Sequence, residues 1–472
     1  MVKLNRKDTI AAISTPFGES GIGIVRLSGS NALRIGDKIF VGKNGLRLPQ
    51  FPTYTLHHGF VVDKRYINLK GKCNKKIVDE VLVSVMRSPH TYTREDIVEI
   101  NCHGGIIPLK KTLELVLDLG ARLAVPGEFT QRAFCNGRID LAQAEAVLNV
   151  VNAKTEAALG AAINQLQGML SKQINELKTM LIEIMAPLEA AIDFPDEEID
   201  TPSIKKSIKA LQTLAQCIKD LIDTADRGIM IQNGISVVLA GCTNVGKSSL
   251  MNRFLDYDRV IVTPISGTTR DVVEEVINID GLPVRIADTA GIIDSKCLIA
   301  KKSVDRSLAF LNKSDLVVLI LDASRKINRF DVDLAKKLKN KNVLIVVNKS
   351  DLPQKIKLDS INKILSKAPS VKISALTGKG VNQLKKRIVK MFFKAEIPKN
   401  DELLISNIRH KQALQSCYQS IINAIGVATS GGFDECFIFE LRQALCELDN
   451  IVGQNLDEDI LDNIFSRFCI GK

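Results

Sequence analysis

A chain of 472 residues, 45% of them hydrophobic, is long enough for about three domains of ~150 residues, each with a packed core. Its 64 Lys and Arg against 53 Asp and Glu leave a formal charge of +11 and a pI near 9.0, which favours a polyanionic partner such as RNA. The longest apolar runs, "VVLIL" near 317 and "VLIVV" near 343, are far below the ~18 residues of a membrane span, and the opening "MVKLNRKDTI" has no secretory core, so a cytoplasmic protein off the membrane is expected.

Ten scattered cysteines, none in a C-x-x-C pair, argue for reduced thiols and against structural zinc, and "CH" at Cys102 and His103 is not expected to hold a metal. From Ile10 to about Leu123 the chain reads as short strands and turns, "GIGIVRLSG", "YTLHHGFVV", "VDEVLVSVM" and "DIVEINCHGG", then a helix around 107 to 119. Residues 1–123 are therefore expected to form a compact α+β domain.

Ala, Leu, Gln, Glu and Lys at three and four spacing dominate residues 124–228, the pattern of long antiparallel helices, with Pro187 and "DFPDEEIDTP" expected to interrupt them and a further helix over Ile204 to about Ala225. Ile235 starts another rhythm. The strand runs "ISVVLAG", "LVVLILD" and "NVLIVVN" alternate with helical stretches, and Asp280–Gly281 falls at a tight turn inside "DVVEEVINIDGLPVRIADTAG". Residues 229–393 thus read as a three-layer nucleotide-binding domain, and helical composition returns over 394–472. The economical fold is α/β and α in several domains, with the nucleotide domain inserted into one helical domain.

"GCTNVGKSS", Gly241 to Ser249, follows a strand and opens a helix, as a P-loop requires. Backbone N–H groups there cradle phosphates, Lys247 neutralises them, and Ser248 offers a hydroxyl to Mg²⁺. Asn244, Val245, Gly246, Lys247, Ser248 and Ser249 are the expected contacts. "DTAG" adds Asp288, Thr289, Ala290 and Gly291, with Asp288 holding Mg²⁺ through water and Gly291 offering an N–H to the γ-phosphate. "NKSD" and "SAL" add Asn348, Lys349, Asp351, Ser374 and Ala375; Asp351 can accept two hydrogen bonds from a guanine edge, so the nucleotide is GTP. Between the P-loop and "DTAG", the segment Thr263, Pro264, Ile265, Ser266, Gly267, Thr268 and Thr269 can close over the nucleotide, Thr269 giving Mg²⁺ its second hydroxyl. Lys247, Thr269 and Asp288 are the expected catalytic residues.

With these elements in order, the chain resembles the MnmE (TrmE) family of tRNA modification GTPases along essentially its whole length. The resemblance rests on "TPFGESGIGIVRLSG", "YTREDIVEINCHGG", "PGEFTQRAFCNGRIDLAQAEA", "AAIDFPDEEID", "GTTRD" and the terminal "FCIGK". It implies an N-terminal folate-binding and dimerising domain, a helical domain and an inserted Ras-like P-loop G domain that pairs across its nucleotide face when K⁺ is bound. It also implies a homodimer working with an FAD-dependent MnmG (GidA)-type subunit on tRNA, adding a carboxymethylaminomethyl-type group at C5 of the wobble uridine.

The family pattern carries K⁺ ligation onto Asn244, Thr263, Ile265 and Thr268, hard oxygen donors whose ion could replace an arginine finger. A tetrahydrofolate derivative, 5-formyl or 5,10-methylene, is implied at Arg26, Glu99, Arg138 and Lys472. Basic groups suit the folate carboxylates and a carboxylate suits the pterin donors. The family often has Lys at the Arg138 position. Cys469 in "FCIGK" has two readings, a nucleophile activated near Lys472 or a small residue packing the last helix.

One departure concerns hydrolysis. The Ras-type Gln position holds Ile292, and the family's water-orienting Glu, counted without gaps from Gly291, falls at Ala300, with its usual Arg at Ile293. Asp294 or Asp305 could substitute, K⁺ alone could support turnover, or the chain could act as a weakly hydrolysing switch; slow, K⁺-stimulated hydrolysis is the expectation. A rival class, an RNA- or ribosome-associated assembly GTPase, leaves "PGEFTQRAF" and "FCIGK" unexplained, and a free-standing one-carbon transferase leaves the complete P-loop and "NKSD" unexplained. The basic stretches "KKLKNK" near 336 and "KKRIVK" near 385 read equally as solvated helix faces, so no tRNA contacts are assigned.

Overall fold

The computed structural model describes residues 8–43, 47–63, 76–193, 203–258, 274–288, 314–393, 403–430, 435–454 and 458–472. They fall into two compact units, one built from residues 1–148 and 452–472, the other from 149–451. Among the described residues no helix is long and apolar enough to cross a membrane.

The first unit is an α+β sandwich around a seven-stranded sheet. Its strands are β1 (Ile10–Ile13), β2 (Gly23–Ser28), β3 (Phe40–Gly42), β4 (Thr55–Asp63), β5 (Lys76–Met86), β6 (Ile97–Cys102) and β7 (Arg122–Leu123), in the order β3-β4-β5-β6-β2-β1-β7. All neighbours are antiparallel except β1 with β7. Alternation along the strands explains the layering: Val25 and Leu27 on β2 and Val98 and Ile100 on β6 point into a core shared with α1 (Ala32–Ile39) and α2 (Ile106–Asp118). Arg26 and Glu99 fall on the opposite face, half-buried.

After this sheet come α3 (Glu128–Cys135) and α4 (Leu141–Asn152), and the chain's last helix, Glu458–Phe465, belongs to the same unit. Phe465 and Phe468 close a small core with Leu141 and Ala144. That packing draws the terminal residues 469–472 into the N-terminal unit.

The second unit opens with α5 (Glu156–Leu166), α6 (Met169–Asp193) and α7 (Ile204–Asn233). Two expectations need correction here. Pro187 does not interrupt its helix: α6 runs through it, because Leu181, Met185 and Leu188 keep the helix buried on both sides and outweigh the lost hydrogen bond to the preceding turn. The next helix does not end near Ala225 either. The stripe continues through buried Gly228 and Ile231, and α7 ends at Gly234, whose left-handed φ of 73° closes the helix by an N–H bond to Met230 O at 2.8 Å.

The inserted sheet has the order β13-β12-β11-β8-β10-β9, with β8 (Ile235–Ala240), β9 (Glu274–Ile279), β10 (Leu282–Asp288), β11 (Leu316–Asp322), β12 (Val343–Asn348) and β13 (Ser370–Lys372). Every pair is parallel except the β9–β10 hairpin. The unbroken apolar runs are explained by burial of both faces: Val237, Leu239, Val318, Ile320, Leu344 and Val346 feed one core, and Val238, Ala240, Leu319, Leu321, Ile345 and Val347 the other. Asp280 at φ 50° and Gly281 at φ 93° make the hairpin turn, the primed geometry that two right-twisted strands demand. Helices α8 (Lys247–Asp258), α9 (Arg329–Lys337), α10 (Asp359–Ile364) and α11 (Val381–Phe392) cover the sheet. The chain then returns to helix in α12 (Ile408–Ser430), which packs along α7, and α13 (Glu435–Val452). The fold is thus a multi-domain α/β and α chain carrying a three-layer P-loop domain between helical segments.

Candidate functional site

Strand order reverses at β8, with β9 and β10 on one side and β11 to β13 on the other, so a crevice opens at its carboxyl end, where such sheets take ligands. The loop 241–246 occupies this place. Gly241, Asn244 and Gly246 carry φ of 157°, 60° and 98°, turning the chain tightly before α8 begins at Lys247. Gly246 has no alternative: its left-handed φ is strained for any side chain, and a Cβ there would collide with Asn348 Nδ2. Ser248 and Ser249 are exposed in the first turn of α8, where free N–H groups and a hydroxyl can receive an anion and a hard cation.

Lys247 is buried and folds back, donating to Gly241 O at 2.9 Å and to Cys242 O at 2.8 Å, so its ammonium is held at the mouth of the loop. Asn348, at the end of β12, ties two motifs together. Its Nδ2 donates to Val245 O at 2.8 Å, and its Oδ1 accepts the N–H of Ala375 at 2.9 Å. Lys349, in the left-handed region at φ 62°, donates to Asp322 Oδ2 at 2.7 Å. Burial opposes the charge on Asp322, yet Lys349 and Ser324 hold its carboxyl below the ordinary range. Asp351 is exposed, free to face a ligand, and the 375–376 carbonyls are gripped by Arg253 of α8. The sequence motifs contain no sign of Asp322, at the end of β11, or of Arg253, two turns into α8, which brace Lys349 and the 375–376 carbonyls.

Asp288 ends β10, in register with Leu239 of β8. Thr263, Pro264, Ile265, Ser266, Gly267, Thr268, Thr269, Thr289, Ala290, Gly291, Ile292, Ile293, Asp294, Ala300 and Asp305 lie outside the described residues, and with them three of the four positions expected to hold K⁺.

A second constellation sits in the first unit. Arg26 on β2 and Glu99 on β6 are register partners and pair at 2.7 Å, and Arg26 Nη1 also donates to Gly471 O at 3.1 Å. Its guanidinium lies 5.7 Å over the buried ring of Phe129, while that of Arg138 lies 4.8 Å over Tyr92. Burial pushes the Tyr92 phenol up, although its hydroxyl bonds Thr130 at 2.9 Å and both arginines oppose the shift. Burial pushes the Lys472 ammonium down; Cys469 counteracts this and Arg26 adds to it, so Arg26, Cys469 and Lys472 share one electrostatic neighbourhood. Cys469 itself is exposed, and its carbonyl meets Gly127 N. Two guanidiniums, an ammonium and a carboxylate around aromatic faces are a set of groups whose chemistry suits a flat heterocycle with acidic tails. The places of Phe129 under Arg26 and of Tyr92 under Arg138 carry no signal in the sequence, since an isolated aromatic reads as core.

Residues 9–138 match the model of the GTP-binding protein TrmE N-terminus, and residues 141–469 match that of the MnmE helical domain. The "tRNA modification GTPase MnmE" of Alkaliphilus metalliredigens is 44% identical over 98% of this chain and 99% of its own length. Those of Clostridioides difficile and Staphylococcus aureus are 45% and 40% identical, each over 98% of this chain and 99% of theirs. Among solved structures, the G domain of the T. maritima FeoB iron transporter is 30% identical, covering 33% of this chain and 97% of that one, at a TM-score of 0.26. With both family models and near-full-length relatives in agreement, the chain belongs to the MnmE family of tRNA modification GTPases.

Proposed function

We propose that this chain is a GTP hydrolase acting in tRNA modification, a K⁺-dependent switch whose nucleotide cycle gates carbon transfer from a folate to C5 of a wobble uridine. One observation carries the reading: a P-loop wired to "NKSD" and "SAL" through Asn348 occurs in the same chain as the Arg26–Glu99–Lys472 constellation. An assembly GTPase needs only the first of these.

In this reading Asn244, Val245, Gly246, Lys247, Ser248 and Ser249 hold the phosphates, with Asp288, Thr289, Ala290 and Gly291 sensing the γ-phosphate. Asp351 and its neighbours Asn348, Lys349, Ser374 and Ala375 read guanine. Mg²⁺ is held by the hydroxyls of Ser248 and Thr269. K⁺ is held at Asn244, Thr263, Ile265 and Thr268, where a cation beside the phosphates would offset charge developing in the transition state. Arg26, Arg138 and Lys472 bind the acidic groups of a 5-formyl or 5,10-methylene folate, and Glu99 accepts from its pterin. The domains proposed are 1–123 for folate and dimerisation, 229–393 for GTP, and 124–228 with 394–472 as the helical body. The partners are a second copy of the chain, an FAD-dependent MnmG (GidA)-type subunit and tRNA, in the cytoplasm. Cys469 is exposed and so does not pack the last helix, which leaves the nucleophile reading.

Single-turnover GTP hydrolysis by the protein and its Ala300→Glu variant, in K⁺ and in Na⁺, tests the switch. A natural protein slow in both salts, with K⁺-stimulated turnover restored by the variant, identifies Ala300 as a lost water-orienting position worth ~10²- to 10⁴-fold. Fast turnover in K⁺ alone shows that another residue orients the water. Calorimetry with 5-formyltetrahydrofolate tests the other half, and absence of binding overturns the carbon-transfer reading.

A further inference from the structure

Asp331, in the first turn of α9, is 1% exposed, and its carboxylate collects donors from three residues, two in the loop that leads into α9 and one in the phosphate loop. Arg325 grips it with two prongs, Nη1 to Oδ2 at 2.8 Å and Nη2 to Oδ1 at 3.0 Å. The backbone N–H of Asn328 donates to Oδ2 at 3.1 Å, half of a capping box that starts the helix. The fourth donor is the thiol of Cys242, 3.0 Å from Oδ1.

Cys242 is the second residue of the phosphate loop, and its carbonyl is one of the two oxygens that hold the Lys247 ammonium. A thiol is ordinarily a weak donor, but a buried carboxylate is the acceptor that strengthens it. The ionisation states suit this bond. Burial works against the Asp331 charge, yet Arg325 and Cys242 keep that carboxyl below its ordinary range. Burial and the adjacent Asp331 push the Cys242 thiol up, so it keeps its proton and donates.

We propose that Cys242, Asp331 and Arg325 are positioning residues for nucleotide binding: the relay Arg325–Asp331–Cys242 fixes the entry of the phosphate loop and, through the Cys242 carbonyl, the place of Lys247. The same segment, 322–331, also supplies Asp322 to Lys349 of "NKSD", so one loop braces the phosphate half and the base half of the site together. The inference rests on the reading of residues 241–249 as a GTP phosphate loop.

Full-length protein and its Cys242→Ala and Cys242→Ser variants are compared for binding and release of fluorescent GDP and GTP analogues, with thermal melting of each in the presence and absence of GDP. Losing one such hydrogen bond predicts about fivefold weaker binding for Cys242→Ala, expressed mainly as faster release. The ligand-free melting temperature should fall by only a few degrees, the cost of one hydrogen bond, while the GDP-induced rise shrinks. Cys242→Ser, which keeps a donor of similar size, should restore release to near the natural rate. Unchanged release in Cys242→Ala overturns the proposal, as does a ligand-free melting loss that Cys242→Ser shares, since packing alone would then explain the contact. Natural protein that binds neither nucleotide defeats the GTP reading instead, and is recognised before any variant is compared.

Discussion

Arg26 and Glu99 are cross-strand partners on the half-buried face of the first sheet, and their side chains meet at 2.7 Å while Arg26 reaches on to the carbonyl of Gly471. The arginine therefore joins the sheet to the terminal "FCIGK" segment, and the carboxylate aims it. Arg26→Ala should lower the affinity for 5-formyltetrahydrofolate about tenfold or more, the cost of one charge-assisted hydrogen bond, and Glu99→Gln should do so by less because a neutral amide still fills the place. GTP hydrolysis without partner or folate should stay at the natural rate in both. Calorimetry and a phosphate-release assay on the same preparations check the pair of outcomes.

The terminal segment has no slack. Gly471 sits at φ 93°, and a Cβ would come within 2.6 Å of Ile13 O, so Gly471→Ala is strained by its backbone and by its neighbour alike. Folate affinity is expected to fall about tenfold with the GTPase rate unchanged. The pH dependence has a defined sign. Burial holds the Lys472 ammonium below its ordinary pKa, so its charge is resisted by the folded state at neutral pH and that penalty is relieved as pH rises towards the unfolded value near 10.5. Binding of an anionic folate runs the other way, weakening as pH climbs through the lowered pKa, earlier than an ordinary lysine would allow. A folate titration across pH 7 to 10 checks this, with Lys472→Met expected to flatten the curve.

Local pattern carried much of this fold. The two-sided apolar runs of β8, β11 and β12, the Asp280–Gly281 turn and the strand-to-helix switch at Lys247 are all set by neighbours in sequence. Pro187 misled because its cost is a few kcal/mol and buried flanks on α6 outweigh it, a balance that lies in packing. Asp331 was illegible for another reason. An Asp three residues after an Asn looks like any helix start, and nothing nearby announces that Cys242, 89 positions away, donates to it. Phe129 under Arg26 is the same kind of relationship. Residues that touch a ligand sit in motifs, whereas residues that hold those motifs in place are recruited from wherever the topology brings a buried partner.

A buried charge hub braces the first unit. Arg132 of α3, 4% exposed at its side chain, pairs with Asp8, Glu95 and Glu128, while Arg122 shares Asp8 and Glu128. Removing one partner from such a cluster strands the others, so Arg132→Met should cost about 3–5 kcal/mol of stability. Although burial opposes it, Arg122 and Arg132 hold the Asp8 carboxyl below its ordinary value. The stabilisation from that ion pairing is fully present above the unfolded pKa near 3.8 and is lost as pH falls through the lower folded value. Denaturant melts at pH 7 and pH 3 check both statements, the variant being expected to lose less on acidification than the natural protein.

Gly246 and Asn348 offer the sharpest test of how the phosphate and guanine motifs are coupled. Asn348 Nδ2 lies where a side chain on Gly246 would have to go, and it donates to Val245 O while Asn348 Oδ1 takes the N–H of Ala375. Gly246→Ala must displace Asn348 and also hold a left-handed φ of 98° with a Cβ, a strain of about 1–3 kcal/mol before any loss of phosphate contact. Asn348→Ala keeps the loop's glycine but leaves the Val245 carbonyl and the Ala375 amide without that partner, about 1–3 kcal/mol apiece where water cannot replace it. Each variant should weaken GDP binding by at least about tenfold. The double variant should lose less than the sum, because once the asparagine is gone the alanine methyl has room; additive losses would show that the two motifs act independently.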